Sequence, residues 1–497
     1  MPKNWKMIKV SDIEKSPHIE KPKLASNKKY ILLNKIKSLL EGSTSHGIPN
    51  LMRTNRISIK ILWALCFLAS VSFCSYMVFK IVADFLNYET VSKIERITEI
   101  ESKFPTISFC NVNPFTTSES EQLLLSFVPA NVSLNDLDFR TKYGLIVLAN
   151  RDAQVNSFNP EFGDANRKKL GYNLSKILIS CVFDDEPCSA DDFEWYYDLS
   201  FGNCYRFNSG RSQKGRPIEL KKTKKPGPKD GLLIQLFNIP SQNKISSVLS
   251  EGLVLFIHNQ SISPSASMGV NVDPSKQTDI SIQRTFIQKE PYPYSDCIDL
   301  NNFNSDYYKF LIGLNRTYRQ QDCFDLCLQK KIIDLCDCYD LSFPMVSNST
   351  PCLSLEQFNC TRFAYVKFKS SKINEECLAL CPLECESINY DLLISSTASL
   401  SKQGYDSIEK LIDRFTSGFS QNKLTYDEVR QRFIVLNVYY ADLSYVRISE
   451  TPKTSFFDLL SNLGGTLGLY IGISFLSLVE LVEIFLETIF LSFNLNL

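Results

Sequence analysis

The 497-residue chain has no net charge, because 54 Lys and Arg balance 54 Asp and Glu. That balance removes the electrostatic reason to expect nucleic acid as a partner. Histidine is nearly missing, with His18, His46 and His258 the whole supply. Imidazole-based metal sites and side chains that switch between pH 5 and 8 are therefore short of material. No internal repeat or low-complexity tract stands out. Nor does any set of nucleophile, base and orienting group appear, so the chain does not read as an enzyme, and no cofactor or metal is expected.

Long hydrophobic runs are also few. Two reach the roughly 20 residues that a bilayer requires: Ile61 to Phe79, extendable to Leu86 if Lys80 and Asp84 turn their charges to the interface, and Phe456 to Phe493. The first follows 56 polar residues, unlike a cleaved signal peptide. Those residues hold twelve Lys or Arg against four Asp or Glu, which places the N-terminus in the cytoplasm. The expected organisation is a cytoplasmic segment 1–56, a transmembrane helix 57–86, an extracellular domain 87–455, a second transmembrane helix 456–493 and a cytoplasmic tail 494–497. A multi-pass plasma-membrane protein with both termini inside follows.

Two further signals agree. All six Asn-x-Ser/Thr sequons, at Asn131, Asn173, Asn259, Asn315, Asn348 and Asn359, fall between the two runs. So do fourteen of the sixteen cysteines, an even number suited to disulfides in an oxidising space, while Cys66 and Cys74 lie in the first run. The domain between the runs reads as mixed structure. Thr106 to Cys110, Gly231 to Phe237, Leu253 to Ile257 and Phe433 to Tyr440 look like strands, and Glu119 to Phe127, Cys323 to Ile333 and Ser407 to Phe415 like helices. The basic run Lys214 to Lys229, with its Pro and Gly, reads as a solvated loop.

Cysteine spacing adds detail. Cys323 and Cys327 are four apart, as are Cys377, Cys381 and Cys385. If each set occupies one helix face, two antiparallel helices are riveted rung by rung, with Cys336, Cys338, Cys352 and Cys360 closing the far end. Sequence leaves the connectivity open. A zinc site on Cys336 and Cys338 is the competing reading, disfavoured by an oxidising compartment and the scarcity of histidine.

The second run, read as one helix at about 100° per residue, gathers Ser461, Gly465, Gly468 and Gly472 into a narrow stripe. Glu480, Glu483 and Glu487 continue it, drifting partly round the helix. A carboxylate near the bilayer centre costs about 2.5 to 3.5 kcal/mol unless it meets water or a partner. A water-filled, cation-attracting path satisfies all three. The alternative is a packed, non-conducting anchor, in which Gly464, Gly468 and Gly472 let helices approach and the glutamates sit in the interface.

The residues resemble one family, the degenerin, epithelial sodium channel and acid-sensing ion channel family of amiloride-sensitive sodium channels. The carriers are Trp63-Ala-Leu-Cys66, Phe104-Pro-Thr-Ile-Ser-Phe-Cys-Asn-Val-Asn113, Gly202-Asn-Cys-Tyr-Arg-Phe-Asn208, Tyr294-Ser-Asp-Cys297, the late cysteines, and Gly464-Gly-Thr-Leu-Gly-Leu-Tyr-Ile-Gly-Ile-Ser474. They cover nearly the whole chain in the family's order. The resemblance implies a trimeric channel with two transmembrane helices and a disulfide-rich α+β extracellular domain of palm, finger, thumb, knuckle and β-ball. It also implies seven disulfides: Cys110–Cys204, Cys181–Cys188, Cys297–Cys385, Cys323–Cys381, Cys327–Cys377, Cys336–Cys360 and Cys338–Cys352.

By the same resemblance, Gly472, Ile473 and Ser474 match the selectivity belt, where backbone oxygens replace part of a small cation's hydration shell. Ser461, Asn462, Gly465, Gly468, Glu480 and Glu483 would line the pore, with Ser461 where bulky side chains hold degenerin channels open and Gly468 near the amiloride position. His46 and Gly47 match the cytoplasmic gating pair, and Tyr88 and Tyr294 an aromatic link between palm and membrane. Arg362 and Val366 stand where acid-sensing members carry two thumb aspartates, which weakens a proton-gated reading. The Pro-rich degradation motif of epithelial sodium channels has no counterpart in the few residues after the second run, so escape from that turnover is expected.

The function implied is a sodium-selective, amiloride-sensitive channel subunit in a homotrimer or heterotrimer, opened by an extracellular ligand such as a neuropeptide. The permeant ion is Na+ and the lipid bilayer its surroundings. The alternatives are a proton-gated member of the family and a non-conducting regulatory or adhesion subunit. An ATP-gated trimer lacks support, since neither a lysine-rich nucleotide site nor its cysteine series is present.

Overall fold

The computed structural model describes residues 37–38, 41–42, 47–128, 138, 142, 144–149, 152, 164–212, 216–239, 241, 250–260, 262, 269–300, 304–314, 316–344, 346, 349–370, 373–416 and 423–494. The chain forms two compact units, Met1–Glu89 with Pro452–Leu497, and Thr90–Thr451. The first unit opens with helices α1 (Ile48–Arg53) and α2 (Ile57–Leu86). The second unit begins with β1 (Thr90–Thr98), β2 (Thr106–Asn111), α3 (Ser118–Ser126), β3 (Leu178–Phe183), β4 (Glu186–Pro187), β5 (Phe193–Asp198), β6 (Gly202–Phe207) and β7 (Leu232–Phe237). It continues with β8 (Leu253–His258), β9 (Val270–Val272), β10 (Lys276–Gln288), α4 (Asp306–Gly313), α5 (Gln320–Cys336), α6 (Leu355–Ser370), α7 (Ile373–Leu380), β11 (Glu386–Ala398), α8 (Lys402–Thr416) and β12 (Phe433–Pro452). Helices α9 (Phe456–Ile471) and α10 (Phe475–Asn494) complete the first unit. Helix α2, at 30 residues, is long and apolar enough to cross a membrane.

Two sheets carry the second unit. One runs β11-β10-β12-β7-β3-β4 with β1 also on β12, and the other runs β9-β8-β2-β6-β5. Alternate residues of a strand point to one face. Leu232, Ile234 and Leu236 of β7, Ile280 and Ile282 of β10, and Leu436, Val438 and Tyr440 of β12 therefore share a face. They pack with Ile107 and Phe109 of β2, Leu255 of β8, and Phe193 and Phe207 in a single core. Each such side chain contributes about 1.5 to 3 kcal/mol on burial. The opposite face of β12, with Phe433 and Val435, is covered by Tyr405 and Ile412 of α8. Burial on both faces explains why this strand reads as an almost unbroken apolar run.

The largest element missing from the strand expectations is the pair β10 and β11, thirteen residues each and matched antiparallel along their whole length. Strand β10 also pairs parallel with β12, with a register shift between Ile282 and Arg284. At that shift Arg284 is turned inward, its side chain 6% exposed, and its Nη2 donates to Glu99 at 2.7 Å and to the Ser102 hydroxyl at 2.9 Å. The guanidinium also lies 4.9 Å from the Tyr440 ring centroid and 5.5 Å from that of Tyr445. Burial raises the Tyr440 phenol, whose hydroxyl donates to the Lys103 carbonyl at 2.7 Å.

The cysteine-rich part is built on α5. The structure joins Cys323 to Cys381, Cys327 to Cys377, Cys336 to Cys360, Cys338 to Cys352 and Cys297 to Cys385. Cys110–Cys204 bridges directly opposed residues of β2 and β6, and Cys181–Cys188 closes the β3–β4 hairpin. The expected helix face of Cys377, Cys381 and Cys385 is corrected, because α7 ends at Leu380. Pro382 disfavours helical backbone at Cys381, and Cys385 lies at a bend between two strand segments.

Of the sequons, Asn173 caps a helical turn by accepting from Ser175 N at 3.3 Å, Asn259 follows β8 and Asn359 lies on α6. Asn131, Asn315 and Asn348 lie outside the described residues. So do residue 1–36 of the N-terminal segment and 495–497 of the tail.

The Glu99–Arg284 pair yields an asymmetric prediction. Removing the carboxylate leaves a buried guanidinium uncompensated, whereas Arg284→Met keeps the stem and leaves Glu99 at 38% exposure free to hydrate. Glu99→Ala should cost about 3 kcal/mol in unfolding of the detergent-solubilised protein and Arg284→Met about 1 kcal/mol. The reverse order would mean that the pair is not what holds this corner.

Candidate ion pathway

The second apolar run is two helices. Helix α9 begins at a reciprocal cap, with Ser455 Oγ accepting from Asp458 N at 3.1 Å and the Asp458 carboxylate accepting from Ser455 N at 3.0 Å. It ends at Gly472, whose φ of 73° is the left-handed conformation that glycine adopts without penalty. Gly472 N donates to Gly468 O at 3.1 Å. After Ile473 a second reciprocal cap starts α10. Ser474 Oγ accepts from Ser477 N at 3.3 Å, and Ser477 Oγ accepts from Ser474 N at 3.1 Å.

One continuous helix over 456–493 is therefore corrected. The signal was present in the sequence: a glycine terminator followed at once by Ser-x-x-Ser, a start signature. The break also resets the helical phase, so the stripe cannot be carried across it at a fixed angle per residue. Glu480 and Glu483 belong to α10, half-buried and exposed respectively, while the side chain of Glu487 lies outside the described residues.

Within α9 the faces differ. Leu459, Leu463, Thr466, Leu467 and Tyr470, spaced three and four apart, are half-buried. Tyr470 meets Phe73 of α2 with ring centroids 5.1 Å apart. Ser461, Asn462, Gly465 and Gly468 are exposed. A Cβ added at Gly464 or Gly465 would meet nothing within 4 Å. These glycines are not needed for packing inside the chain. A helix end inside an apolar stretch leaves carbonyl groups without intrahelical partners, so the Gly472–Ile473–Ser474 interruption is the point at which this run can present backbone oxygens.

Gly47 caps α1 with a φ of 93°, and a Cβ there would sit 3.0 Å from Phe67 Cδ2. The conformation favours glycine, and a larger residue would also have to push the Phe67 ring aside. Phe67 lies about 15 Å along α2 from its start, so α1 folds back along that helix. His46 lies outside the described residues.

At the other end of α2, Lys453 N donates to Glu89 O at 2.9 Å and Lys453 Nζ to the Glu89 carboxylate at 2.6 Å. The carboxylate holds the ammonium's pKa above its ordinary value. Tyr88 has a positive φ of 51° and a ring 6.2 Å from that of Phe85. Tyr294 belongs to the other unit, where its N donates to Pro291 O at 3.1 Å. Among the described residues no cluster of His, Cys, Asp or Glu has the makings of a metal site.

Comparison with known proteins agrees with this architecture. The family model described as "Amiloride-sensitive sodium channel" matches residues 39–484. The chain is 26% identical to acid-sensing ion channel 1 of Gallus gallus, over 91% of this chain and 84% of that protein. It is 24% identical to the FMRFamide-activated amiloride-sensitive sodium channel of Cornu aspersum, over 91% of this chain and 83% of that protein. It is 28% identical to the epithelial sodium channel subunit beta of Rattus norvegicus over 65% of this chain, spanning about half (49%) of that subunit. The family match takes in the first apolar run, the domain that follows it and the second run as far as residue 484, and the chain belongs to the amiloride-sensitive sodium channel family, whose members are sodium channels rather than enzymes.

Proposed function

We propose that this chain is a sodium-selective, amiloride-sensitive channel subunit of the plasma membrane, assembled as a homotrimer or heterotrimer and opened by an extracellular ligand. The observation that carries the reading is the interruption of the second apolar run at Gly472–Ile473–Ser474. Glycine at the break and small residues at Ser461, Gly465 and Gly468 leave room for identical segments to meet around an axis, with carbonyl oxygens turned to a small cation. Glu480 and Glu483 beyond it raise the local cation concentration. In this arrangement 57–86 and 456–493 are the two spans, 87–455 is extracellular and both ends, including His46 and Gly47, are cytoplasmic.

Exposed apolar side chains on the sheet support assembly with further copies or related subunits. Ile94 on β1 is 70% exposed and Leu393 on β11 74% exposed, unusual for strands in water. Gating follows from connectivity. Strands β1 and β12 pair with each other and lead in sequence into α2 and α9. In this reading, opening is a movement of these strands passed along the chain to the two spans. The relative activated by FMRFamide makes a short neuropeptide the favoured class of ligand.

A second reading, opening by protons, has one observation in its favour. Burial pushes the Asp325 carboxyl up to about 6, with Asp322 adding to the rise and Gln321, Arg319 and Arg316 opposing it. The sole ectodomain histidine points the other way. Burial lowers His258 to about 4, its Nδ1 bonded to Asn259 O and its Nε2 to the Ser108 hydroxyl, each at 2.8 Å. It stays neutral through the physiological range.

Two measurements follow. In a cell expressing the chain with Ser461→Phe, a standing current should appear without agonist, carried by Na+ in preference to K+ and blocked by amiloride. Silence from protein confirmed at the surface would indicate an obligate heteromer or a non-conducting subunit. Asp325 takes up its proton as pH falls through about 6, whereas the unfolded chain does so nearer 4. The folded state is thus stabilised as pH drops across that window, and any inflection near pH 6 in current or melting temperature should vanish in Asp325→Asn. An acid response that survives in Asp325→Asn rules this carboxyl out as its source.

A further inference from the structure

The segment joining β6 to β7 is strongly charged and, unlike a loop free in solvent, is held in place. Residues 211–229 contain eight Lys or Arg against one acid, Glu219, in a chain of zero net charge. Phe104 N donates to Lys221 O at 3.0 Å, and Lys221 N to the Asn208 side-chain oxygen at 2.7 Å. Lys222–Thr223 then pairs antiparallel with Ser102–Lys103. Thr223 is buried, its hydroxyl 3.0 and 2.9 Å from the carbonyl oxygens of Lys225 and Asp230, and Gly227 N donates to Tyr440 O of β12 at 3.0 Å.

That register has an electrostatic consequence. Ser102 and Thr223 oppose each other on the buried side, so Lys103 and Lys222 stand directly opposite on the exposed side. Like charges in that relation destabilise a strand pair. Lys221 and Lys224 have anions beside them, Asp192 at 3.2 Å and Glu101 at 3.6 Å. The ammonium groups of Lys103, Lys222, Lys225 and Lys229 are exposed and have no hydrogen bond or ion pair among the described residues. Folding thus fixes four cations on one ordered loop and the strand beside it, with no anion to offset them.

We propose that Lys103, Lys222, Lys225 and Lys229 form a docking surface for an extracellular sulfated polysaccharide. The proposal rests on the reading of 87–455 as extracellular. Lysine presents a compact point charge rather than the flat two-point fork of arginine, which suits separate sulfates along a linear chain better than a single carboxylate. Between the lysines stand only Thr223, Pro226, Gly227 and Pro228, so the loop offers no large apolar side chain on which a protein segment could bury itself. Anionic lipids concentrate in the cytoplasmic leaflet, which leaves a membrane surface outside the cell a poor match for the charge. A polyanion that neutralises fixed cations releases its condensed counterions, so the contact is electrostatic and weakens with salt.

Binding of a heparin dodecasaccharide to the purified full-length protein tests the surface. At about 0.15 M NaCl its Kd should be about 10 μM or tighter, and raising the salt to about 0.5 M should weaken it at least about tenfold. Hyaluronan of the same length, which carries carboxylates and no sulfate, should bind at least about tenfold more weakly. Lys103→Gln, Lys222→Gln, Lys225→Gln and Lys229→Gln combined should weaken heparin binding at least about tenfold, whereas the same change at the exposed Lys176, Lys330, Lys402 and Lys410 should weaken it less than about twofold. Lys222→Gln alone should leave the melting temperature unchanged or higher, since it removes the repulsion from Lys103; a fall would make this lysine structural and overturn its assignment. Absent heparin binding, equal loss in the two fourfold variants, or hyaluronan bound as tightly as heparin overturns the surface. Tighter binding of polyglutamate or of phosphatidylserine vesicles, with the same lysine dependence, overturns the polysaccharide in favour of an acidic protein or a membrane. Heparin bound by the purified protein and not by intact cells displaying it overturns the extracellular placement. Binding in both without any current retains the surface and removes the channel reading.

Discussion

Strand β12 is the member on which the second unit depends. Its twenty residues pair with β10, β7 and β1, and its two faces anchor two different cores. Where β10 shifts register beside it, the buried Arg284 closes the gap through Glu99 and Ser102, tying the segment after β1 to the centre of the sheet. The interaction is ionic as well as apolar, and so it fixes one geometry where hydrophobic contact alone would tolerate several. Strand β12 then leads in sequence into the Ser455 cap of α9.

Disulfides perform the corresponding task around α5. Cys297 and Cys385 are 88 residues apart in sequence and Cys323 and Cys381 are 58 apart. Closing loops of this size removes about 4 to 5 kcal/mol of chain entropy from the unfolded state on the entropic model. Leu311, Tyr318 and Leu326 pack directly against the cystines. The small core and the bridges together hold this region in one arrangement.

Much of the fold was legible because its signals are local. Strand β12 shows as an apolar run, α5 as a helical pattern, and the even set of cysteines between the runs as a disulfide framework. Strands β10 and β11 were less visible, since Lys276–Gln288 places Thr278 and Arg284 beside Ile280 and Ile282 on its buried face and Gln277, Asp279, Ser281 and Gln283 on the half-buried one. The α7 boundary was misjudged by following cysteine spacing past Pro382, which a backbone argument forbids. In the pathway, periodicity found the stripe of Ser461, Gly465 and Gly468, but extending that period through Gly472 overlooked what glycine and a serine pair do to a helix. The fit of Gly47 against Phe67 had no sequence signal beyond the glycine itself, because the contact is made between separate helices.

The account therefore turns on one three-residue break acting as the ion-selecting constriction. Its most direct test is the reversal potential of the current when external Na+ is replaced by K+, compared between the parent chain and Gly472→Ala or Ser474→Ala. Alanine at 472 is strained at a φ of 73° and at 474 removes a cap worth about 1 kcal/mol. Both changes disturb the backbone of the break without adding charge, and the account predicts a loss of discrimination between the two ions. Undiminished sodium preference in both variants, with current intact, would place the selecting element elsewhere.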